Sequence, residues 1–299
     1  MKKTGLLIGG MSVILLVVFV IVLWPKSAHK DDSSHSDGKL TIVASTNVYV
    51  EVAKTVAGDK ANVSAIISKQ SVSPEDYEPT NDVAKKVAHA NIALGNGLGY
   101  DAWLNKLSKS SKSTKLLLAS DMLNKDSKAN PHLWNDPDNM IQVAQKLADE
   151  LSKKDPDNKA YYQQNAQAYQ EKLKPVTDKV AELKEKTQNK SVFETESVYE
   201  YMLKNLGLNI VGDDFAEAVA EDTDPTPAVL KEVQNALKAH KVDFVVQNTQ
   251  TTGGDVSKLV KLAKQESIPV VNVTETSPDK TSYVDWKLSE LNQIEKALS

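Results

Sequence analysis

Short runs of aliphatic and β-branched residues alternate with amphipathic stretches along most of the chain. In the first half this pattern predicts strands at 40–44, 63–67, 92–94 and 116–118, and helices at 48–57, 81–89 and 141–152. Strands that alternate with helices at this spacing are typical of a parallel sheet with helices on its faces. Ligands bind to such sheets at the carboxyl ends of the strands.

A long polar stretch at 158–187 interrupts the alternation, and its Tyr, Ala, Leu and Val residues recur at helical intervals. Pro175 is expected to bend this helix. About thirty residues of helix span ~45 Å, which exceeds one compact domain, so we interpret the stretch as a spacer between two lobes.

The strand–helix pattern then resumes. It predicts strands at 191–193, 208–211, 243–246 and 268–273, and helices at 198–206, 226–239, 255–266 and 283–298, with Gly207 ending the first of these helices. The predicted class is therefore α/β, with two βα lobes of parallel sheet joined by one long helix. The predicted segments are a signal or membrane anchor, a flexible tether, an N-terminal lobe, the linking helix and a C-terminal lobe, at 1–26, 27–39, 40–155, 156–187 and 188–299.

The N-terminus indicates where the chain resides. Residues 5–24 carry no charge and follow two lysines, a run long enough to cross a bilayer as a helix. Residues 27–29 match a small-residue cleavage site poorly, so we interpret the run as an uncleaved anchor, with a cleaved signal as the alternative. Either interpretation places the rest of the chain outside the cytoplasm, attached to the outer face of the membrane or secreted. The tether contains His29 and His35, which we expect to be solvated.

Composition narrows the chemistry. The chain has no cysteine, which excludes disulfides, thiolate metal ligands and a lipid-modified cysteine after the apolar run. The net charge is −4, and all the basic residues other than histidine are lysines. An acidic chain without arginine argues against nucleic acid as a partner.

The sequence NPHLWNDP at 130–137 contains the most distinctive candidate residue, His132. Pro131 and Pro137 restrict the residues before them to extended conformations, so His132 is expected on a short, stiff loop. A histidine whose rotamer is fixed in advance is suited to binding a metal ion. The alternative is a buried loop histidine bonded to a backbone carbonyl.

Carboxylates follow three other predicted strands. Glu75 and Asp76 lie in an acidic turn after the second strand, Glu196 follows the first strand of the second half, and Glu275 follows the last. One imidazole with several carboxylates suits a divalent ion of the Mn or Zn type. Taken one at a time, Glu196 and Glu275 could instead favour helix N-termini, and the acidic turn could be solvated.

These residues belong to motifs that resemble the substrate-binding proteins of bacterial manganese and zinc ABC transporters, over roughly 39–299. The motifs are SPEDYEPT at 73–80, NGLGYDAW at 96–103, NPHLW at 130–134, TESVYEY at 195–201 and VTET at 273–276. The resemblance implies two βα lobes joined by one long helix, with the metal in the cleft between them. Within the second motif, we expect Tyr100 and Trp103 to pack beneath that cleft.

The resemblance also implies a set of metal ligands. The family has a histidine directly before its acid-Tyr-Glu-Pro sequence, and here Glu75 occupies that position. His132 matches the second ligand, Glu196 the glutamate form of the third, and Glu275 stands where the family usually has aspartate. The departure at Glu75 implies a harder, Mn-like preference, recruitment of Asp76 instead, or a site of low affinity. Residues 124–129 lack the His-rich loop of many zinc-binding members.

The predicted function is capture of Mn²⁺ or Zn²⁺ outside the cytoplasm and delivery to the membrane permease of an ABC transporter, without catalysis. One alternative is a surface adhesin with a weakened metal site. The other is a metal-dependent hydrolase, but four protein ligands would leave no open coordination position. The chain also lacks a Gly-x-Ser-x-Gly nucleophile motif.

Overall fold

Two four-stranded parallel sheets form the centre of the structure. The computed structural model describes residues 39–299, so the predicted anchor and nearly all of the tether lie outside the described residues. The first sheet contains β1 (Leu40–Thr46), β2 (Ala61–Ile67), β3 (Ile92–Gly95) and β4 (Lys115–Leu118). The second contains β5 (Ser191–Glu194), β6 (Asn209–Ile210), β7 (Phe244–Asn248) and β8 (Val270–Val273).

The two sheets share one topology. Their strand orders are β2-β1-β3-β4 and β6-β5-β7-β8, and all neighbouring strands are parallel. The predicted α/β class with two parallel lobes is confirmed. We call the part built on β1–β4 the first lobe and the part built on β5–β8 the second lobe. In each sheet the order reverses between the first and third strands, where ligands of such sheets bind.

Eleven helices accompany the sheets in residues 39–299. They are α1 (Asn47–Ala57), α2 (Asn81–Ala88), α3 (Ala102–Lys109), α4 (Ala119–Met122), α5 (Pro137–Lys154), α6 (Lys159–Lys186), α7 (Glu200–Asn205), α8 (Asp213–Ala220), α9 (Pro227–Lys238), α10 (Gly254–Gln265) and α11 (Tyr283–Ala297). Within this described part of the chain, no helix is both long enough and apolar enough to cross a bilayer.

Side-chain caps set several helix starts. The Asp136 carboxylate accepts a hydrogen bond from the Asp138 N–H, and Pro137 occupies the first turn of α5. An aspartate cap followed by proline is a strong start signal, which is why α5 begins before the predicted residue 141. The helices α3, α4 and α8 were not predicted. The four residues of α4 are too few to show a helical period.

The long helix α6 packs on both lobes. Its 28 residues span ~42 Å. Tyr162, Tyr169 and Leu173 belong to the apolar core of the first lobe, whereas Val176 and Leu183 belong to that of the second. The predicted linking helix is therefore packed along its length. The bend at Pro175, which lies where the two contact regions meet, stays a prediction.

The C-terminal helix α11 also crosses between the lobes. Tyr283 and Trp286, in its first turn, join the apolar core of the first lobe, and Leu291 and Ile294 join that of the second. Two helices thus connect the lobes through buried contacts. The predicted segment boundaries stay an interpretation, since α11 contributes to both cores.

Candidate metal centre

The predicted ligands border one cleft between the lobes. A cavity of about 600 Å³ is lined by Glu75 and Asp76 from the first lobe and by Glu196 and Glu275 from the second. An adjoining cavity of about 630 Å³ is lined by Glu75 and His132. Within residues 39–299, however, no three His, Asp or Glu side chains lie close enough to share one ion. The ligand set therefore stays a prediction, and in this geometry the four side chains face the cleft without converging.

His132 is held by a side-chain amide. It follows α4 on a loop and is 4% exposed, and its Nδ1 lies 2.8 Å from Oδ1 of Asn130. The Asn130 Nδ2 donates to the Ser197 carbonyl at 2.6 Å and to the Glu200 carboxylate at 2.9 Å. The amide oxygen must therefore face the ring and accept from Nδ1–H. This leaves Nε2 as the nitrogen that can bind a metal.

A second side-chain amide, that of Asn96, holds the loop that carries His132. The Asn96 side chain donates to the Pro131 carbonyl at 2.8 Å, and the Asp101 carboxylate accepts from the backbone N–H groups of Asn96 and Gly97 at 2.7 and 2.9 Å. Gly97 has φ +84°, and a Cβ there would meet the Ser120 hydroxyl. The NGLGYDAW motif thus supplies a backbone turn and a buried carboxylate that support the histidine loop.

Glu275 is bonded to the first lobe. The Tyr100 hydroxyl donates to Oε1 of Glu275 at 2.8 Å, and the Trp134 indole N–H donates to the Glu275 carbonyl at 3.1 Å. The Trp134 ring also packs edge-on against His132, with ring centroids 5.3 Å apart. Tyr100 is buried as predicted, but it also contacts a candidate ligand, which the sequence pattern did not indicate.

Glu196 is bonded within the second lobe. It follows β5, and its Oε2 accepts from the Asn248 amide at 2.7 Å and from the Thr251 hydroxyl. Asn248 ends β7, the neighbour of β5, so both side chains lie at the topological switch point of the second sheet. Two donors on one oxygen restrict the carboxylate and leave Oε1 for a ligand.

The turn that carries Glu75 rests on Trp103. The indole N–H of Trp103 donates to the Pro74 carbonyl at 2.9 Å, and the Tyr77 ring packs edge-on against it with centroids 5.0 Å apart. Trp103 is buried, as predicted, and it also fixes the residue next to Glu75. Glu75 itself lines the cleft and is exposed.

The cleft carboxylates repel one another. The cleft walls partly desolvate the Glu75 carboxyl, although the residue keeps an exposed surface. This desolvation raises its pKa to about 7, and the charges of Asp222, Glu196 and Asp76 add to the effect. Burial also raises the pKa of Glu275 to about 7, where Glu196, Glu75 and Asp222 again add and the Tyr100 hydrogen bond opposes. The pKa of Glu196 is raised as well, mainly by burial, against hydrogen bonds from Thr251 and Asn248.

Two further titratable groups, His132 and Asp222, lie at the cleft. Burial lowers the pKa of His132 to about 3, against a hydrogen bond to the Ser197 backbone, and the Lys287 ammonium adds to the lowering, so the imidazole is neutral at physiological pH. Asp222 lies between α8 and α9 and lines the cavity beside Glu75. We did not predict its role, because it follows a short helix rather than a strand.

The chain belongs to the family of zinc-uptake complex component A, periplasmic proteins, whose model matches residues 42–297. The predicted resemblance to substrate-binding proteins of metal ABC transporters is thereby confirmed.

Relatives that match over nearly the whole of both chains are also named as substrate-binding proteins of metal ABC transporters. The chain is 30% identical to the metal ABC transporter substrate-binding lipoprotein SsaB of Streptococcus sanguinis, over 100% of both chains. It is 27% identical to the manganese ABC transporter substrate-binding lipoprotein scaA of Streptococcus gordonii, over 96% of this chain and 97% of that relative.

Solved structures share the fold. A Mn-bound mutant of a periplasmic metal-binding protein from Candidatus Liberibacter asiaticus superposes with a TM-score of 0.73 at 19% identity, over 87% of this chain and 100% of that one. A mutant of the laminin-binding adhesin Lmb from Streptococcus agalactiae gives the same TM-score at 22% identity and the same coverage. At these identities the likeness concerns the fold alone.

Without metal, Glu75 and Glu275 should destabilise the folded protein as the pH rises. Their folded pKa values of about 7 exceed the ordinary value of 4.5, so the folded state binds more protons between these limits. Their contribution to stability is present near pH 4.5 and is lost as the pH passes 7. We expect the Glu75→Gln/Glu275→Gln variant to gain thermal stability relative to the wild type from pH 5 to pH 8, measured by melting in chelator.

The matched control is Glu295→Gln. Lys179 and Lys186 hold the pKa of Glu295 at about 2, so this carboxylate stays charged from pH 5 to pH 8 and its variant should differ from wild type by a constant amount. His132 is present in the wild type and in both variants, so its own effect on stability cancels from the differences between them. A double variant whose difference from wild type is also constant would contradict the raised pKa values.

Proposed function

We propose that this protein captures Mn²⁺ or Zn²⁺ outside the cytoplasm and delivers the ion to the permease of an ABC transporter. The observation that carries the proposal is the set of carboxylates that both lobes direct into one cleft. Family membership supports it, since relatives are named as manganese or metal ABC transporter substrate-binding proteins.

The proposed ligands are Glu75, His132, Glu196 and Glu275, with Asp76 as an alternative to Glu75. Three carboxylates and one imidazole around a divalent ion leave a net charge of −1. This mostly oxygen donor set suits Mn²⁺ and also accepts Zn²⁺. Ligand distances of about 2.0–2.2 Å require the cleft to narrow around the ion, so we propose that the ion draws the lobes together.

We propose no catalytic role. The full-length relatives are named as transporter components, and a site closed by four protein ligands leaves no position for a reacting water. The adhesin alternative has less support, because those names describe substrate-binding proteins and the adhesin neighbour shares the fold alone.

We also propose that the apolar run at 5–24 anchors the protein to the outer face of the membrane. The relatives are named lipoproteins, whereas this sequence contains no cysteine that could carry a lipid. An uncharged run of this length can serve as the anchor in place of the lipid.

Removing a proposed ligand should abolish tight binding. We expect Glu196→Gln or His132→Ala, each in residues 39–299, to weaken Mn²⁺ and Zn²⁺ binding at least about 100-fold by titration calorimetry, because a four-ligand site loses a quarter of its donors. Glu217→Gln is the matched control, since it removes the same charge from the cavity wall without removing a proposed ligand. Its effect should stay within about fivefold. Equal losses in control and ligand variants would contradict the assignment.

Metal affinity should fall as the pH drops from 7.5 to 5. Glu75 and Glu275, with pKa values of about 7, must lose their protons to bind a cation. His132 is already neutral over this range. Equal dissociation constants at pH 5 and pH 7.5, measured by calorimetry in one buffer system, would show that these carboxylates do not bind the ion.

The anchor can be examined in cells that express the full chain. We expect the protein in the membrane fraction with an intact N-terminal peptide by mass spectrometry, and an inhibitor of lipoprotein processing should leave this unchanged. Replacing residues 1–26 with a cleavable secretory signal should release the protein. A mature N-terminus near residues 27–29 would instead establish the cleaved-signal alternative.

A further inference from the structure

Helix α11 carries a buried ion pair where the two lobes meet. Lys287 Nζ lies 2.8 Å from Oε2 of Glu290, and the side chains are 0% and 4% exposed. Lys287 also stacks on the Trp286 ring, 3.4 Å from its centroid. None of these residues borders the two cleft cavities.

The lysine side of the pair reaches the histidine loop. Lys287 Nζ donates to Oδ1 of Asn135 at 2.5 Å, and the Asn135 N–H donates to the His132 carbonyl at 3.1 Å. The Asn135 amide continues to the second lobe, where it donates to the Val198 carbonyl at 2.7 Å. The Val198 N–H in turn donates to the Glu196 carbonyl at 2.7 Å.

The glutamate side reaches the loop after β8. Glu290 Oε1 accepts from the Thr274 N–H at 3.1 Å and from the Trp286 indole N–H at 2.7 Å. Thr274 directly precedes Glu275. One buried pair is therefore linked, through at most two intervening residues, to His132, Glu196 and Glu275.

This arrangement is hard to explain by stability alone. Removing two charges from water is costly, and replacing a buried ion pair with apolar residues of similar size is often neutral or stabilising. A hydrogen-bonded buried network instead restricts the groups it contacts to one arrangement. The groups contacted here are the backbone segments that carry candidate ligands of both lobes.

We propose that Lys287 and Glu290 form a positioning pair, which orients the His132, Glu196 and Glu275 segments and thereby sets the affinity for the metal ion. The proposal rests on the proposed function. The pair acts through the backbone of the ligand segments and does not touch the ion. Its loss should weaken binding without unfolding the protein.

Double variants test the pair, because replacing one partner alone would leave an uncompensated buried charge. Lys287→Met/Glu290→Leu removes both links. Lys287→Met/Glu290→Gln removes the link to Asn135 but keeps an amide oxygen for the Thr274 N–H. Each is made in the full chain, purified in detergent, and Mn²⁺ and Zn²⁺ dissociation constants are measured beside the melting temperature in chelator.

We expect affinity to fall about 10- to 100-fold in Lys287→Met/Glu290→Leu, the range typical of residues that orient metal ligands, and by less in Lys287→Met/Glu290→Gln. Melting temperatures without metal should stay near that of the wild type. Hydrogen exchange at the Thr274 amide should accelerate only in the leucine variant, because only that variant lacks an acceptor for it. A loss of affinity at an unchanged melting temperature is the result that a merely structural role would not produce.

The matched control is Lys179→Met/Glu295→Leu, which removes an ion pair between α6 and α11. The other side-chain hydrogen bonds of this pair go to Glu182 and Lys186, not to the ligand segments. Its affinity should equal that of the wild type. Wild-type affinity in a folded Lys287→Met/Glu290→Leu variant would overturn the positioning role, as would an equal loss in the control. A wild-type protein that binds neither ion would refute the proposed function instead.

Discussion

The structure depends on like charges that are held together. Glu75 from one lobe and Glu196 and Glu275 from the other face a single cleft, where desolvation and neighbouring negative charges, including that of Asp222, raise their pKa values. Protons relieve this repulsion at low pH, and a divalent cation would relieve it near neutral pH. Protons and the proposed metal ion would therefore compete for the same carboxylates, and the fold supplies the free energy that holds these groups around one cleft.

The rest of the molecule keeps these groups in place. Tyr100 and Trp134 of the first lobe bond to Glu275 of the second, and Asn130 bonds both to His132 and to the second lobe. Both α6 and α11 pack into the cores of the two lobes. Buried contacts of this kind favour small changes in lobe separation over wide opening, because a packed interface deforms little.

Sequence periodicity predicted the strands and long helices well, since each carries a hydrophobic pattern of period 2 or 3.6 that core burial requires. It missed α3, α4 and α8, which contain eight, four and eight residues. It also treated Tyr100 and Trp103 as packing residues only. Both are buried, but each uses its one polar hydrogen to fix a candidate ligand segment, and hydrophobic pattern carries no information about where that hydrogen points.

The amino-acid sequence by itself determined the α/β class, the two-lobe plan and the positions of four candidate ligands, because strand ends and stiff loops are local features. Only the tertiary structure decided which partners fix those ligands. Asn130, Asn248 and the Lys287–Glu290 pair act on residues far away in the chain, and such contacts exist only once both sheets and the crossing helices have packed. The spacing of the lobes is likewise a property of the packed molecule, since it arises from buried contacts between segments that no local pattern relates.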